Sequence, residues 1–256
     1  MDIIQALMLG IIQGIFEWLP ISSEGQSMLI MFNILHMDID SALSIAIFLH
    51  LGTSFAVLIK FKDEFISIIS GHNNEYLRII LISTFCTGLT GLPLYFLLKN
   101  TFASGSGATI IIGVLLICTG VILGTTKHSG HKSVDSITIF DMVLLGLAQG
   151  FAILPGISRS GVTVTALLLR NVDQRSALTV SFIISVPVVL CAAVLDVGMI
   201  GSVDPICGVV MFLSSLVVGY IMMDFLLKFA DKVDFSMFCI VLGLLTIILS
   251  AGYYIL

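Results

Sequence analysis

The sequence predicts an all-α polytopic membrane protein, an inverted repeat whose halves each hold one re-entrant helix pair plus three transmembrane helices. Three observations lead there. Of 256 residues, 58% are hydrophobic and 11% charged, which leaves too little polar surface for a globule to show to water. Apolar stretches of about twenty residues, the length that crosses a bilayer core, recur from end to end. Two further apolar blocks are each broken near the middle by a polar knot, "PISSEGQ" and "PGISRSG".

The first block covers residues 3–36. Its opening, "MDIIQALML", has no basic segment and is expected to be mature structure, not a signal peptide. Beyond the knot the apolar arm "SMLIMFNILH" is short, and about ten helical residues cover only half of a ~30 Å hydrocarbon core. The block is therefore read as two half-helices that dip in and return. Proline, glycine and serine at such a tip need protein or water around them. Spans 41–61, 78–98 and 108–124 complete a first repeat, residues 1–124, and 125–138 form a linker. The second repeat, 139–256, begins with the block 139–170, whose short arm is "VTVTALLLR", and continues with spans 176–196, 206–229 and 236–256. The whole chain, 1–256, is a single integral-membrane domain.

Internal matching supports the two halves. "LGIIQGIFEWLPISSEGQ" from Leu9 aligns with "LGLAQGFAILPGISRSGV" from Leu145, pairing Leu9, Gly10, Gln13, Gly14, Ser22 and Gly25 with Leu145, Gly146, Gln149, Gly150, Ser158 and Gly161; "SAL" at Ser41 recurs at Ser176. Three crossings per half is odd, so the second half sits upside down and the tips meet near the midplane. The glycine pairs Gly10/Gly14 and Gly146/Gly150 are expected to let the two descending half-helices approach closely.

Charge tests the parity. Lys60, Lys62, Arg78, Lys127, Lys132, Arg170, Arg175, Lys228 and Lys232 fall on one side of the predicted spans, Lys99 on the other, and Arg159 in a tip. This asymmetry places the basic side in the cytoplasm and both termini outside the plasma membrane. Asp196 and Asp224 fall near span ends and are expected at the interface. No basic patch with interleaved aromatics points to nucleic acid. The five cysteines are isolated in apolar segments, without a CxxC, and read as small packing residues.

The knots carry the chemistry. Each starts a half-helix whose first-turn N–H groups lack helical acceptors. Ser22, Ser23, Ser158 and Ser160 add hydroxyls at or near N-cap positions, and Arg159 adds a planar cation suited to phosphate oxygens. Together these predict a site for phosphate or diphosphate. The plainer alternative has the serines capping helices and Arg159 pairing with Glu17 or Glu24. A carboxylate beside an anion needs a bridging divalent cation or a proton to take. Glu17, on the descending helix before Pro20, is the stronger functional candidate. Glu24 could instead favour its own helix N-terminus. His50, mid-span in "FLHLGTSFAVLI", is either functional or held in an interhelical hydrogen bond.

"EWLPISSEGQ" and "PGISRSG" resemble the undecaprenyl-pyrophosphate phosphatase family, also known for bacitracin resistance, whose motifs read roughly EGxTEFLPxSSTGH and PGxSRSG. "HLGTSFAVLIKF" and "ALTVSFIISVPVVLCAAVLD" extend the resemblance over nearly the whole chain. It implies hydrolysis of a polyprenyl diphosphate lipid carrier to the monophosphate at the outer face, helped by Mg²⁺ or Ca²⁺. Glu17, Ser22, Ser23 and Arg159 would be catalytic, and Glu17 would hold the metal, with Glu24, which stands where the family usually has threonine, as the second carboxylate. Gln13, Gln26, His50, Ser158, Ser160 and Gly161 would contact substrate. Gln13 stands where the family has its first glutamate and Gln26 where it has histidine; glutamine can bond a phosphate but cannot act as acid or base. The segment "FSMFCIVLGLL" lacks a Tyr-Arg pair common in relatives. The competing reading is a non-hydrolytic polyprenyl-phosphate transporter, flippase or lipid-binding protein, since inverted repeats with broken helices are transporter architecture. The expected partners are the lipid and the membrane, with a homodimer one open option.

Overall fold

A computed structural model describes the chain apart from residues 73, 102–104, 126–129, 197–202, 230–234 and 256. Lys127, Lys232 and the final residue, which entered the reading of sidedness, lie outside the described residues. The helices are α1 (Ile3–Phe16), α2 (Ser23–Asn33), α3 (Ile39–Lys60), α4 (Lys62–Ile69), α5 (Asn74–Thr101), α6 (Gly105–Gly124), α7 (Ile139–Gly150), α8 (Arg159–Leu169), α9 (Gln174–Leu195), α10 (Pro205–Phe229) and α11 (Phe235–Ile255). Among the described residues there is no strand, and one isolated parallel bridge joins Lys132 to Val172. Five helices, α3, α5, α6, α9 and α10, are long and apolar enough to cross a membrane. The protein is a multi-pass membrane protein. The two broken blocks fold as short helices, α1 with α2 and α7 with α8, separated by their knots.

Local sequence sets the helix starts. Asp38 caps α3 by accepting the Ser41 amide at 2.9 Å, and Asp173 caps α9 by accepting the Ser176 amide at 3.0 Å. These are the aspartates three residues before the repeated "SAL". The bond from the Ser41 amide holds the Asp38 carboxyl below its ordinary range. Asp2 and Gln5 form a reciprocal capping box on α1, as Thr138 and Asp141 do on α7.

Small residues govern the helix contacts, although not as the sequence suggested. The glycine pairs do not chiefly bring α1 and α7 together. A Cβ on Gly14 would lie 2.7 Å from the Gly219 amide on α10, and one on Gly150 would lie 2.7 Å from the Gly91 amide on α5. Each short helix thus nests against a long one, which offers a longer surface than another short helix could. Hydroxyls reinforce the α5–α7 pair: Ser83, Thr87 and Thr90 donate to the Met142, Gly146 and Leu147 carbonyls at 3.1, 3.0 and 3.1 Å. Bonds of this kind contribute on the order of 0.6 kcal/mol each within a membrane. α6 pairs with α11 through Gly113, Gly120 and Gly243. α3 and α9 pack against each other, and Ala56 and Val57 share a buried cluster with Phe182 and Ile183. Asp196, expected at the interface, is buried and accepts from the Tyr95 hydroxyl at 3.3 Å. Asp224 pairs with Lys60.

Candidate active site

The two knots meet, and backbone geometry locks them together. Ser22 adopts a left-handed conformation (φ 59°) that residues other than glycine seldom enter. Its hydroxyl oxygen accepts two amides, Gly25 of its own helix at 3.2 Å and Gly156 of the opposite knot at 3.0 Å. Gly156 has φ 107°, and a Cβ there would lie 2.6 Å from the Ile112 carbonyl oxygen. Ser158 caps α8 by accepting the Gly161 amide at 3.1 Å, and its own amide donates to Thr119 at 3.2 Å. The N-termini of α2 and α8 therefore face one site, each directing its partial positive charge there.

Glu17 is the centre of that site. It is buried, and its carboxylate is surrounded by donors. Oε1 pairs with the Arg159 guanidinium. Oε2 accepts from Gln13 Nε2 at 2.6 Å and from the Ser23 hydroxyl at 2.8 Å, and it faces His50 Nε2 at 3.2 Å. The other His50 ring nitrogen, Nδ1, lies 2.6 Å from the Ala46 carbonyl oxygen. Arg159 also donates through Nη1 to the Ser181 carbonyl at 3.3 Å and lies 6.0 Å from the Trp18 ring centroid. The Trp18 indole is fixed by its own bond to the Gly219 carbonyl at 2.7 Å.

Two cavities adjoin this cluster. One of about 30 Å³ lies between the tips and is lined by Glu17, Ser22, Ser23, Glu24, Ser158 and Arg159. The other, about 250 Å³, starts at Glu24, His50 and Arg159 and continues between apolar side chains of α5 and α9, including Leu92, Val188, Val189 and Leu195. Leu92 and Leu195 are also partly exposed on the outer surface of the bundle. The site thus joins a polar end to an apolar trough.

Most residues singled out from the sequence converge here, with three differences. Gln26 donates to the Ile21 carbonyl at 3.4 Å and lines neither cavity. The four serine hydroxyls do not act as four donors to the site. Ser22 and Ser158 are caps, the Ser160 hydroxyl donates to the Leu19 carbonyl at 3.2 Å, and Ser23 alone bonds Glu17. Gly161 spends its amide on the Ser158 cap. Of the carboxylates offered to Arg159, Glu17 takes it. Sequence reading missed Ser181 and Thr163, whose hydroxyls bond at 2.6 Å behind Arg159. The spacing of Thr163, one turn after Arg159, was the available signal.

Fold and site together define a class: a multi-pass membrane protein with an acid–arginine pair buried where two short helices meet, at the head of an apolar trough. The chain belongs to the bacitracin resistance protein BacA family, whose model matches residues 6–248. It is 50% identical over 253 residues, 98% of each chain, to an undecaprenyl-diphosphatase of Methanothrix thermoacetophila. It is 40% identical to one of Methanococcoides burtonii, covering 95% of this chain and 97% of that one. It is 35% identical to one of Carboxydothermus hydrogenoformans, covering 98% and 99%.

Proposed function

We infer that this protein is an undecaprenyl-diphosphatase, an acid-anhydride hydrolase that converts the lipid diphosphate to the monophosphate and inorganic phosphate. The observation that carries it at the level of residues is the Glu17 carboxylate shared between the Ser23 hydroxyl and the Arg159 guanidinium, at the facing N-termini of α2 and α8. A nucleophile bonded to its base, beside an anion-binding cation, is the arrangement phosphoryl transfer needs.

In this reading the terminal phosphate draws Arg159 from Glu17 and is gripped by its planar fork and the first-turn amides of both helices. Glu17 takes the Ser23 proton as Ser23 Oγ bonds the terminal phosphorus. The bridging P–O bond breaks, and its electron pair leaves on the lipid monophosphate. Water then cleaves the phosphoseryl group. Ser22, its oxygen occupied by two amides, orients the knot and does not attack. His50 supplies the imidazole beside Glu17, holding Oε2 in place, whereas residue 26 does not reach it. The lipid chain lies in the 250 Å³ trough.

A divalent cation, Mg²⁺ or Ca²⁺, is part of the proposal. No group of three or more His, Cys, Asp or Glu side chains is gathered for a metal among the described residues. This fits a hard cation that takes one or two carboxylates and completes its shell with phosphate oxygens and water. Glu24, facing both cavities, and Glu17, once Arg159 has turned to phosphate, would hold it, and it would neutralise charge on the diphosphate.

The same proposal covers topology. Halves 1–124 and 139–256 form an inverted repeat with re-entrant pairs α1/α2 and α7/α8. Its support is that the main contacts exchange between halves: α1 with α10 answers α7 with α5, while α3–α9 and α6–α11 each pair equivalent helices. Both termini then lie outside. Phosphate release from undecaprenyl diphosphate by purified protein, with and without Mg²⁺ or Ca²⁺, tests the activity. A protein that binds the lipid and releases no phosphate would return the transporter reading.

A further inference from the structure

Gln149 occupies in α7 the place that Gln13 holds in α1, but the residue one turn on is Ile153 where the first half has Glu17. Gln149 therefore has no acid to meet. Its Nε2 donates to Thr87 Oγ1 at 3.2 Å. The single hydroxyl hydrogen of Thr87 is directed at backbone carbonyls, Ser83 at 2.8 Å and Gly146 at 3.0 Å. Thr87 can only accept from Gln149, and this fixes the orientation of the amide. Gln149 is 2% exposed and lines the 250 Å³ cavity, and its Oε1 is buried without a hydrogen-bond partner. Thr84, on the same cavity wall and one turn from Thr87, also has a buried hydroxyl without a partner.

These two groups select their occupant. A polyprenyl chain has no donor for Gln149 Oε1, and a fully ionised phosphate offers only acceptors. Water donates and accepts, and buried water settles on polar groups left unsatisfied by the fold. A water takes about 30 Å³, so most of the 250 Å³ remains for hydrocarbon along Ile47, Val188, Val189 and Leu195. The same cavity reaches Glu24, His50 and Arg159.

We propose that Gln149 and Thr84 form a water-binding subsite in the lipid trough, and that water held there hydrolyses the phosphoseryl group. This rests on the phosphatase reading. The water oxygen bonds phosphorus, and the bond from phosphorus to Ser23 Oγ breaks. Ser23 recovers its proton from Glu17, and inorganic phosphate leaves as H₂PO₄⁻ carrying both water hydrogens. The lipid chain covers the trough behind the water, so the subsite favours water over other hydroxylic nucleophiles.

Methanol competition reads this directly. Wild-type protein turning over undecaprenyl diphosphate in aqueous methanol should yield inorganic phosphate with little methyl phosphate. Gln149→Leu should slow phosphate release about tenfold with little change in KM, and raise the ratio of methyl phosphate to phosphate several-fold. Thr84→Val, nearly isosteric, should shift the ratio in the same direction; a merely structural role would slow both products alike. Unchanged ratios in both variants of an active protein overturn the water subsite and leave the phosphatase intact. A wild type that forms neither product overturns the phosphatase reading, and this inference with it.

Discussion

Replacing Glu17 by glutamine should separate the two jobs proposed for that side chain, folding and catalysis. The Glu17 and Arg159 side chains are only 3% and 14% exposed, so neutralising the acid leaves a guanidinium buried without a counter-ion. Breaking such a pair from one side costs about 3–5 kcal/mol. The new amide adds to the loss, because its NH₂ must take one of the two oxygen positions, facing either the Arg159 guanidinium or the Gln13 amide and Ser23 hydroxyl that now donate there. Arg159→Gln should cost less, about 1–3 kcal/mol, since the carboxylate keeps its other donors. The double variant Glu17→Gln/Arg159→Gln removes both charges and should recover at least about 2 kcal/mol relative to the sum of the singles. Its turnover should stay at background. Reversible unfolding in mixed micelles measures the stabilities, and phosphate release measures the chemistry. A Glu17→Gln protein as stable as wild type, or a double variant no better than the added singles, would refute the buried-pair argument.

Three further outcomes follow from the same geometry. His50→Ala should lower kcat at least tenfold and Gln26→Ala less than about threefold, because the imidazole meets Glu17 while Gln26 bonds the Ile21 carbonyl; equal losses would put residue 26 back in the site. Arg159→Lys should reduce turnover by about a hundredfold, since one ammonium cannot span phosphate oxygens as a planar fork does; wild-type rate and affinity would sink that role. In a background without native cysteines, a cysteine at exposed Asp40 should react with an impermeant thiol reagent on intact cells, and one at exposed Ser70 should not; the reverse pattern would invert the proposed topology.

Five of the six expected spans were legible because a bilayer permits few patterns, and twenty apolar residues bounded by charge announce a crossing. The starts of α3 and α9 were legible for a similar reason, an aspartate three residues before a repeated serine. What could not be read were relations between distant residues. The glycine pairs declared close packing but not the partner, and α10 and α5 lie far from them in sequence. His50 was visible as a mid-span histidine, but its approach to Glu17 depends on how α3 crosses the first knot. The adjacent serines 22 and 23 look equivalent in the motif. The left-handed turn at Ser22 separates them, sending one oxygen to backbone amides and the other hydroxyl to Glu17.

That separation bears on how two matching knots could yield the one reaction centre proposed. In the repeat alignment Ser22 corresponds to Ser158, and both are caps; Ser23 corresponds to Arg159, and Glu17 to Ile153. The proposed symmetry thus brings the first-turn residues of α2 and α8 to equivalent places around one carboxylate, serine on Oε2 and arginine on Oε1. A second acid at residue 153 would give Arg159 a competing partner and add negative charge where the diphosphate is proposed to bind. An arginine at residue 23 would remove the proposed nucleophile. In the proposed reading, divergence at these positions makes the two halves complementary, one supplying base and nucleophile, the other the cation that binds the phosphate. Gln13 and Gln149 follow the same logic: where the acid was kept the amide steadies it, and where the acid is absent the amide faces the trough.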